Sequence, residues 1–223
     1  PLENWIHHET RDAYWQHGSV SDAPENISCP MLLVGGWVDR YSNTVMNLLA
    51  QTKSPSWGIV GPWGHHYPDV AAPGPGINFQ AEALRWWDRW LLGRENGVEY
   101  EPRLRIWRQE YAAPQNKLHE RPGSWIAENE WPSTNVTSRT FQLGSGRLSD
   151  VGEIAAEASA LIPNSLRIGS TSGDTGYFGR DGGLPLDQRE DDALSLVFDT
   201  EPLESPIDIL GRAVVKVALQ VDQ

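Results

Sequence analysis

Apolar and polar residues follow two different periodicities in the first half of the chain, most clearly between residues 30 and 67. Residues 31–34 form a short, β-prone apolar run followed by two glycines, which predicts a buried strand ending in a tight loop. The apolar positions that come next fall on one side of a helix, with Ser42 or Asn43 as its cap. A second strand is predicted at residues 57–60. Together these elements predict a βαβ unit.

Four more segments of the first half have readable patterns. Residues 5–15 are polar with interspersed aromatic residues and predict a short helix or an irregular cover. Residues 68–77 are rich in proline and glycine and predict a loop. Residues 79–92 predict an amphipathic helix that packs flat on the sheet and ends at Gly93. Its apolar stripe consists of Phe79, Ala83, Trp86, Trp87, Trp90 and Leu91. Alternation at residues 104–107 predicts a short strand.

The pattern changes near residue 114, where helical periodicity stops. Short β-prone runs then occur between Gly, Pro, Ser and Asp residues, as in a β-sandwich. These runs lie at residues 140–143, 194–198 and 214–221. We therefore expect an α/β part over residues 1–113, followed by a linker and the first part of a β-sandwich over residues 114–223.

Two residues with catalytic chemistry follow the two predicted parallel strands. Asp39 comes after the first strand and His65 after the second. Because parallel strands joined by a right-handed crossover end at the same edge of a sheet, we expect the two side chains to be neighbours. In a nucleophile–His–acid triad the acid orients the imidazole, which takes the nucleophile's proton. Asp39 could instead cap the next helix or be a solvated turn residue, and His66 is a rival for the base.

The nucleophile of such a triad is not visible in this sequence. No serine lies in a G-x-S-x-G frame, and the only cysteine, Cys29, precedes a proline at a strand entrance. The chain also opens abruptly on Pro1 and stops within a strand-like run. We therefore expect the carboxyl-side part of a longer hydrolase, with the nucleophile outside these 223 residues.

Composition narrows the classes of partner. The formal net charge of -12 argues against nucleic acid and anionic membrane surfaces, since both require basic patches. No stretch has the apolar length of a membrane span. A single cysteine excludes an internal disulfide and fits a reducing compartment, so we expect a cytoplasmic protein.

Two other classes of function stay open on the residues alone. A metal-dependent hydrolase could use Asp39, His65, His66 and Asp69, which could crowd one site. A binding or scaffolding protein could use the β-rich half instead. Asp174 and Asp181 lie in a Gly- and Asp-rich stretch that suggests calcium, but their positions do not fit an EF-hand frame. We predict no cofactor and no bound metal.

Several motifs together resemble a known family. They are Gly36-Trp37-x-Asp39, Gly61-Pro62-Trp63-x-His65, the helix over residues 83–91, and the segments at residues 187–192 and 200–211. These motifs are similar to those of the α/β-hydrolases of the X-Pro dipeptidyl-peptidase and cocaine esterase type. The resemblance implies the carboxyl-terminal part of an α/β-hydrolase domain, with a parallel sheet and helices, followed by an incomplete jelly-roll (galactose-binding-like) domain.

The resemblance also implies roles for particular residues. Asp39 would be the triad acid and His65 the general base, with the nucleophilic serine and an oxyanion-hole tyrosine upstream. The substrate would be a small ester or amide, or an X-Pro peptide. Trp37 and Trp63 would be walls of the acyl pocket, although packing is the alternative for both. We further expect that the protein can form a homo-oligomer.

Overall fold

The computed structural model describes residues 2–152, 159–162, 165–174 and 183–220. It begins with two short helices, α1 (Leu2–His7) and α2 (Ala13–His17), where a short helix or irregular cover was expected. The other elements are β1 (Met31–Gly36), α3 (Ser42–Gln51), β2 (Ser56–Gly61), α4 (Phe79–Trp90), β3 (Leu104–Gln109), β4 (Gly123–Glu128), β5 (Phe141–Leu143), β6 (Leu148–Asp150) and α5 (Arg189–Asp192), with 3-10 turns at Val20–Asp22, Pro24–Asn26 and Val98–Tyr100.

The main sheet has the strand order β1-β2-β3-β4. The first three strands are parallel, and β4 runs antiparallel to β3. The predicted βαβ unit is confirmed, with α3 as its crossover. Gly36, the last residue of β1, lies opposite Gly61, the last residue of β2. The two strands therefore end level with each other, and the loops that follow them leave the same edge of the sheet.

The core lies between α3 and the sheet. It consists of Val45, Met46, Leu49, Val60, Leu104 and Ile106. Helix α3 approaches the sheet closely because β2 has no side chain at Gly58, where a Cβ would lie 2.6 Å from Leu49 Cδ1. The prediction that Ser42 or Asn43 caps α3 is wrong. Tyr41 occupies the cap position and makes no capping hydrogen bond with its side chain.

Helix α4 packs on the sheet through part of the predicted stripe. Trp86 is buried and contacts Trp57 of β2, with ring centroids 5.4 Å apart. Trp87 and Leu91 are exposed, so their place in the stripe is wrong. Successive helical residues differ by about 100° around the axis, which turns Trp87 away from the face of Trp86. None of the helices in the described ranges combines the length and apolar composition needed to cross a membrane.

Strand β4 extends the sheet beyond residue 114, near which the sequence pattern changes. It pairs with β3 from Leu104 opposite Glu128 to Gln109 opposite Gly123. Sequence patterning missed it because residues 123–128 contain few strongly apolar side chains. The boundary at residues 113 and 114 stays a prediction, and the first sheet includes residues on both sides of it.

The second half has less regular structure than the sequence predicts. The run at residues 140–143 is confirmed as β5, which pairs with β6. The runs at 194–198 and 214–220 are not strands, so these predictions are wrong, and position 221 lies outside the described residues. Within the described ranges no strand pairs with either run, and β-propensity without a paired backbone does not make a strand. The jelly-roll therefore stays a prediction.

A buried carboxylate organises one described segment of this half. Asp191 accepts hydrogen bonds from the backbone N–H groups of Gly169 and Thr171, at 2.9 and 3.1 Å, and from the Thr171 hydroxyl. The bond from that hydroxyl is the main reason why the pKa of Asp191 is lowered, although burial opposes it. Helix α5 is thereby tied to the loop around residues 169–171.

Candidate active site

Asp39 and His65 meet at the edge of the sheet. Asp39 Oδ2 lies 2.8 Å from His65 Nδ1, so the predicted proximity of the two side chains is confirmed. The Asp39 side chain is 11% exposed, whereas that of His65 is 53% exposed. The acid is therefore covered, and the imidazole remains open to solvent. Because Asp39 engages Nδ1, Nε2 is the ring nitrogen that could exchange a proton with another group.

Backbone hydrogen bonds hold the two loops together beyond the strand ends. The Trp37 N–H donates to Gly61 O at 2.9 Å, and the Val38 N–H donates to Trp63 O at 3.0 Å. The Asp39 N–H donates back to Gly36 O at 3.1 Å, which closes a tight turn. The loops thus continue the register of β1 and β2 and carry Asp39 just beyond the strand ends.

Glycine is required where the two loops cross. A Cβ on Gly36 would lie 2.0 Å from Trp63 O, and a Cβ on Gly61 would lie 2.3 Å from the Trp63 ring. Real Cβ atoms do not approach other atoms so closely, so any larger residue would push the loops apart. The two glycines that precede the candidate acid and base are therefore a geometric requirement of the site.

Asp39 uses its second oxygen for the local turn. Oδ1 accepts a hydrogen bond of 2.9 Å from the Tyr41 N–H, so Asp39 stabilises the local turn and contacts His65 at the same time, but it does not cap α3. The Tyr41 ring lies beside the imidazole, with centroids 5.6 Å apart. Tyr41 could not be predicted from the sequence, because no periodicity indicates which loop side chain turns toward the histidine.

The loop that follows His65 is held by the segment between β3 and β4. The Gly64 N–H donates to Ala72 O at 3.1 Å. Farther along, the Gly74 N–H donates to His119 O at 2.7 Å, and the Arg121 N–H donates to Gly74 O at 2.8 Å. The Pro- and Gly-rich stretch is thus confirmed as a loop beside the candidate base, and backbone contacts on both sides fix its path.

The two tryptophans proposed as pocket walls differ in exposure but are both held by an indole hydrogen bond. Trp63 is 1% exposed, and its indole N–H donates to Pro75 O at 2.8 Å. Trp37 packs against the core, and its indole N–H donates to Trp107 O at 2.7 Å. The buried indole of Trp63 has no surface for a substrate, so we correct that interpretation to packing. A pocket role for Trp37 stays a prediction.

The metal alternatives gain no support from the geometry. Within the described ranges, no group of three or more His, Cys, Asp or Glu side chains is arranged to hold a metal ion. Asp39, His65, His66 and Asp69 all belong to these ranges. Of the calcium pair considered in the sequence, Asp181 lies outside the described residues.

Two family profiles match the chain. Residues 1–67 match the X-Pro dipeptidyl-peptidase (S15 family), and residues 96–223 match the X-Pro dipeptidyl-peptidase C-terminal non-catalytic domain. The chain belongs to the X-Pro dipeptidyl-peptidase family. Asp39 and His65 both fall in the first matched segment. β3 and β4 fall in the second, whose name describes a non-catalytic domain.

Individual relatives agree with this family. The chain is 21% identical to cocaine esterase of Rhodococcus sp. (strain MB1 Bresler), over 94% of this chain and 39% of that protein. It is 22% identical to a Mycobacterium bovis protein named as a serine esterase, over 91% of this chain and 31% of that protein. The chain thus spans less than half the length of these relatives.

A solved structure supports the fold. The CocE/NonD family hydrolase from Staphylococcus aureus superposes with a TM-score of 0.50 and 15% sequence identity. The match covers 67% of this chain and 25% of that one. The mixed sheet with its helices is therefore an α/β arrangement shared with this class of hydrolase.

Proposed function

We propose that this chain supplies the acid and the base of a serine hydrolase that acts through an acyl-enzyme. The hydrogen bond between Asp39 Oδ2 and His65 Nδ1 carries the proposal. Family membership and the order of acid before histidine support it. The nucleophilic serine would come from a segment that precedes residue 1, since the relatives are much longer than this chain.

In the proposed reaction Asp39 and His65 have distinct roles. Asp39 holds the imidazole through Nδ1 and stabilises it when it becomes protonated. His65 Nε2 takes the proton of the serine hydroxyl as the oxygen attacks the substrate carbonyl, and then donates this proton to the leaving group. Water hydrolyses the acyl-enzyme with His65 again as base. Backbone or tyrosine donors outside this chain would stabilise the oxyanion.

For the substrate we propose a small ester or amide, or an X-Pro peptide. The names of the relatives favour an ester, and the family name favours an X-Pro peptide. Hydrolysis by a Ser–His–Asp triad needs no cofactor, and the proposal includes none. A jelly-roll in the second half, a cytoplasmic location and homo-oligomer formation stay predictions.

The test uses the full-length protein with Asp39→Asn and His65→Ala. We expect kcat on p-nitrophenyl esters or X-Pro-anilides to fall by about 10³- to 10⁶-fold, because the base loses its orientation or is absent. His66→Ala is the matched control and should change kcat only a few-fold. Near-normal turnover in His65→Ala, or loss of activity on adding a chelator, would reject the proposal.

A further inference from the structure

Each candidate catalytic residue follows a tryptophan by two positions. Trp37 precedes Asp39, and Trp63 precedes His65. Both indoles donate their N–H to a backbone carbonyl elsewhere, Trp37 to Trp107 O at 2.7 Å and Trp63 to Pro75 O at 2.8 Å. Each loop is thereby anchored immediately before the side chain that it presents.

The anchor of the Asp39 loop lies in the second matched segment. Trp107 belongs to β3 and lies directly opposite Trp125 of β4. The rings of these two residues pack at 5.4 Å, and Trp125 also contacts Trp63, with centroids 6.0 Å apart. The β3–β4 hairpin therefore contacts both loops, one through a hydrogen bond and the other through an aromatic contact.

We propose that the β3–β4 hairpin positions the catalytic pair and that Trp37 is the positioning residue that links it to Asp39. This inference rests on the proposed function. Only one residue separates Trp37 from Asp39, so the backbone between them has little conformational freedom. The indole hydrogen bond of Trp37 therefore limits where the Asp39 carboxylate can lie. The segment named non-catalytic in the family would then determine the geometry of the reaction without touching the substrate.

Positioning and pocket roles for Trp37 predict different kinetics. A pocket wall contributes binding in the ground state, so its loss raises KM. A positioning residue acts on the transition state, so its loss lowers kcat, and small displacements of a catalytic group are costly.

The experiment compares Trp37→Phe with Trp57→Phe in the full-length protein. Both variants keep an aromatic ring and remove one indole donor, since the Trp57 N–H donates to Glu101 O at 3.1 Å. Trp57 packs against α4. Its variant is the matched control, because it shows how a general loss of stability alone affects turnover. We expect both to lower the melting temperature. Only Trp37→Phe should lower kcat, by about tenfold or more, with KM nearly unchanged.

Two results would overturn the inference. If Trp37→Phe raises KM and leaves kcat unchanged, Trp37 is a pocket wall. If both variants lose kcat equally, the effect reflects general stability. Asp39→Asn measured in the same assay separates the two proposals. Normal turnover in Asp39→Asn rejects the catalytic pair itself. If Asp39→Asn loses turnover, the comparison of Trp37→Phe with Trp57→Phe decides the positioning role.

Discussion

Gly36 shows how strongly the candidate site depends on one missing side chain. The carbonyl of Trp63 occupies the place that a Cβ would take, and the Val38 N–H donates to that same carbonyl. An added methyl group would meet backbone, which cannot rotate away as a side chain can. The two loops would therefore have to separate, and the distance from Asp39 to His65 would increase.

We predict that Gly36→Ala destabilises the protein by about 1–3 kcal/mol, as expected for overpacking, and that it also abolishes most of the turnover. Gly64→Ala is the control, because its Cβ would lie 3.5 Å from Ala72 O, an ordinary contact. Thermal unfolding and ester hydrolysis measured on both variants provide the comparison. A Gly36→Ala protein as active as Gly64→Ala would contradict this account of the site.

For single residues, the sequence predicts which side chains form the candidate catalytic pair better than it predicts how the neighbouring loop side chains pack. The proximity of Asp39 and His65 could be predicted because parallel strands joined by a right-handed crossover end at the same sheet edge, whatever their side chains. The burial of Trp63 and the position of the Tyr41 ring depend on loop torsions, which side-chain periodicity does not encode. A tryptophan beside a catalytic motif is therefore equally compatible with a pocket and with packing until the loop is seen.

Among the elements, α4 is attached to the sheet by charge as well as by its tryptophans. Arg105 of β3 donates two hydrogen bonds to the Glu82 carboxylate, at 3.2 and 2.8 Å. These bonds lower the pKa of Glu82, and burial opposes the shift. The folded state therefore binds this proton less readily than the unfolded chain, whose carboxyl group has an ordinary pKa of 4.5. The stabilisation is complete above that pH and is lost as the pH falls.

Replacing Glu82 with Gln should therefore cost about 1 kcal/mol at neutral pH, a modest value because solvent still screens this partly exposed pair. Below pH 4 the difference from the parent should shrink, because the parent carboxylate is then increasingly protonated. Asp88 is on the same helix, and Asp88→Asn removes an exposed contact with Arg94, which lies beyond the helix end, so this variant should show almost no effect. Melting temperatures recorded between pH 3 and 7 test this, and a pH-independent Glu82→Gln effect would disagree with it.

The elements that the sequence predicted correctly are those with a buried face. Strands β1, β2 and β3 and helices α3 and α4 have strong apolar patterns because each packs an apolar face against a neighbouring element. Strand β4 contains few strongly apolar side chains, and it was missed. The β-prone run at residues 214–220 fails in the opposite way, because β-propensity says nothing about the presence of a pairing partner.

Across the whole molecule, the two segments that match the family share one sheet. β1 and β2 come from the first segment, and β3 and β4 come from the second. The Trp131 N–H also donates to Met46 O of α3 at 3.0 Å, across 85 residues of sequence. The part of the chain matched as non-catalytic therefore begins inside the unit that presents Asp39 and His65, and we expect its integrity to matter for turnover.

The proposed acyl-enzyme mechanism can be tested most directly by labelling the full-length protein with a fluorophosphonate and locating the adduct by mass spectrometry. We predict one adduct per chain, on a serine that precedes residue 1, and its loss in His65→Ala, because the nucleophile then lacks its base. Absence of labelling in the active parent enzyme, or labelling that His65→Ala leaves unchanged, would contradict the account.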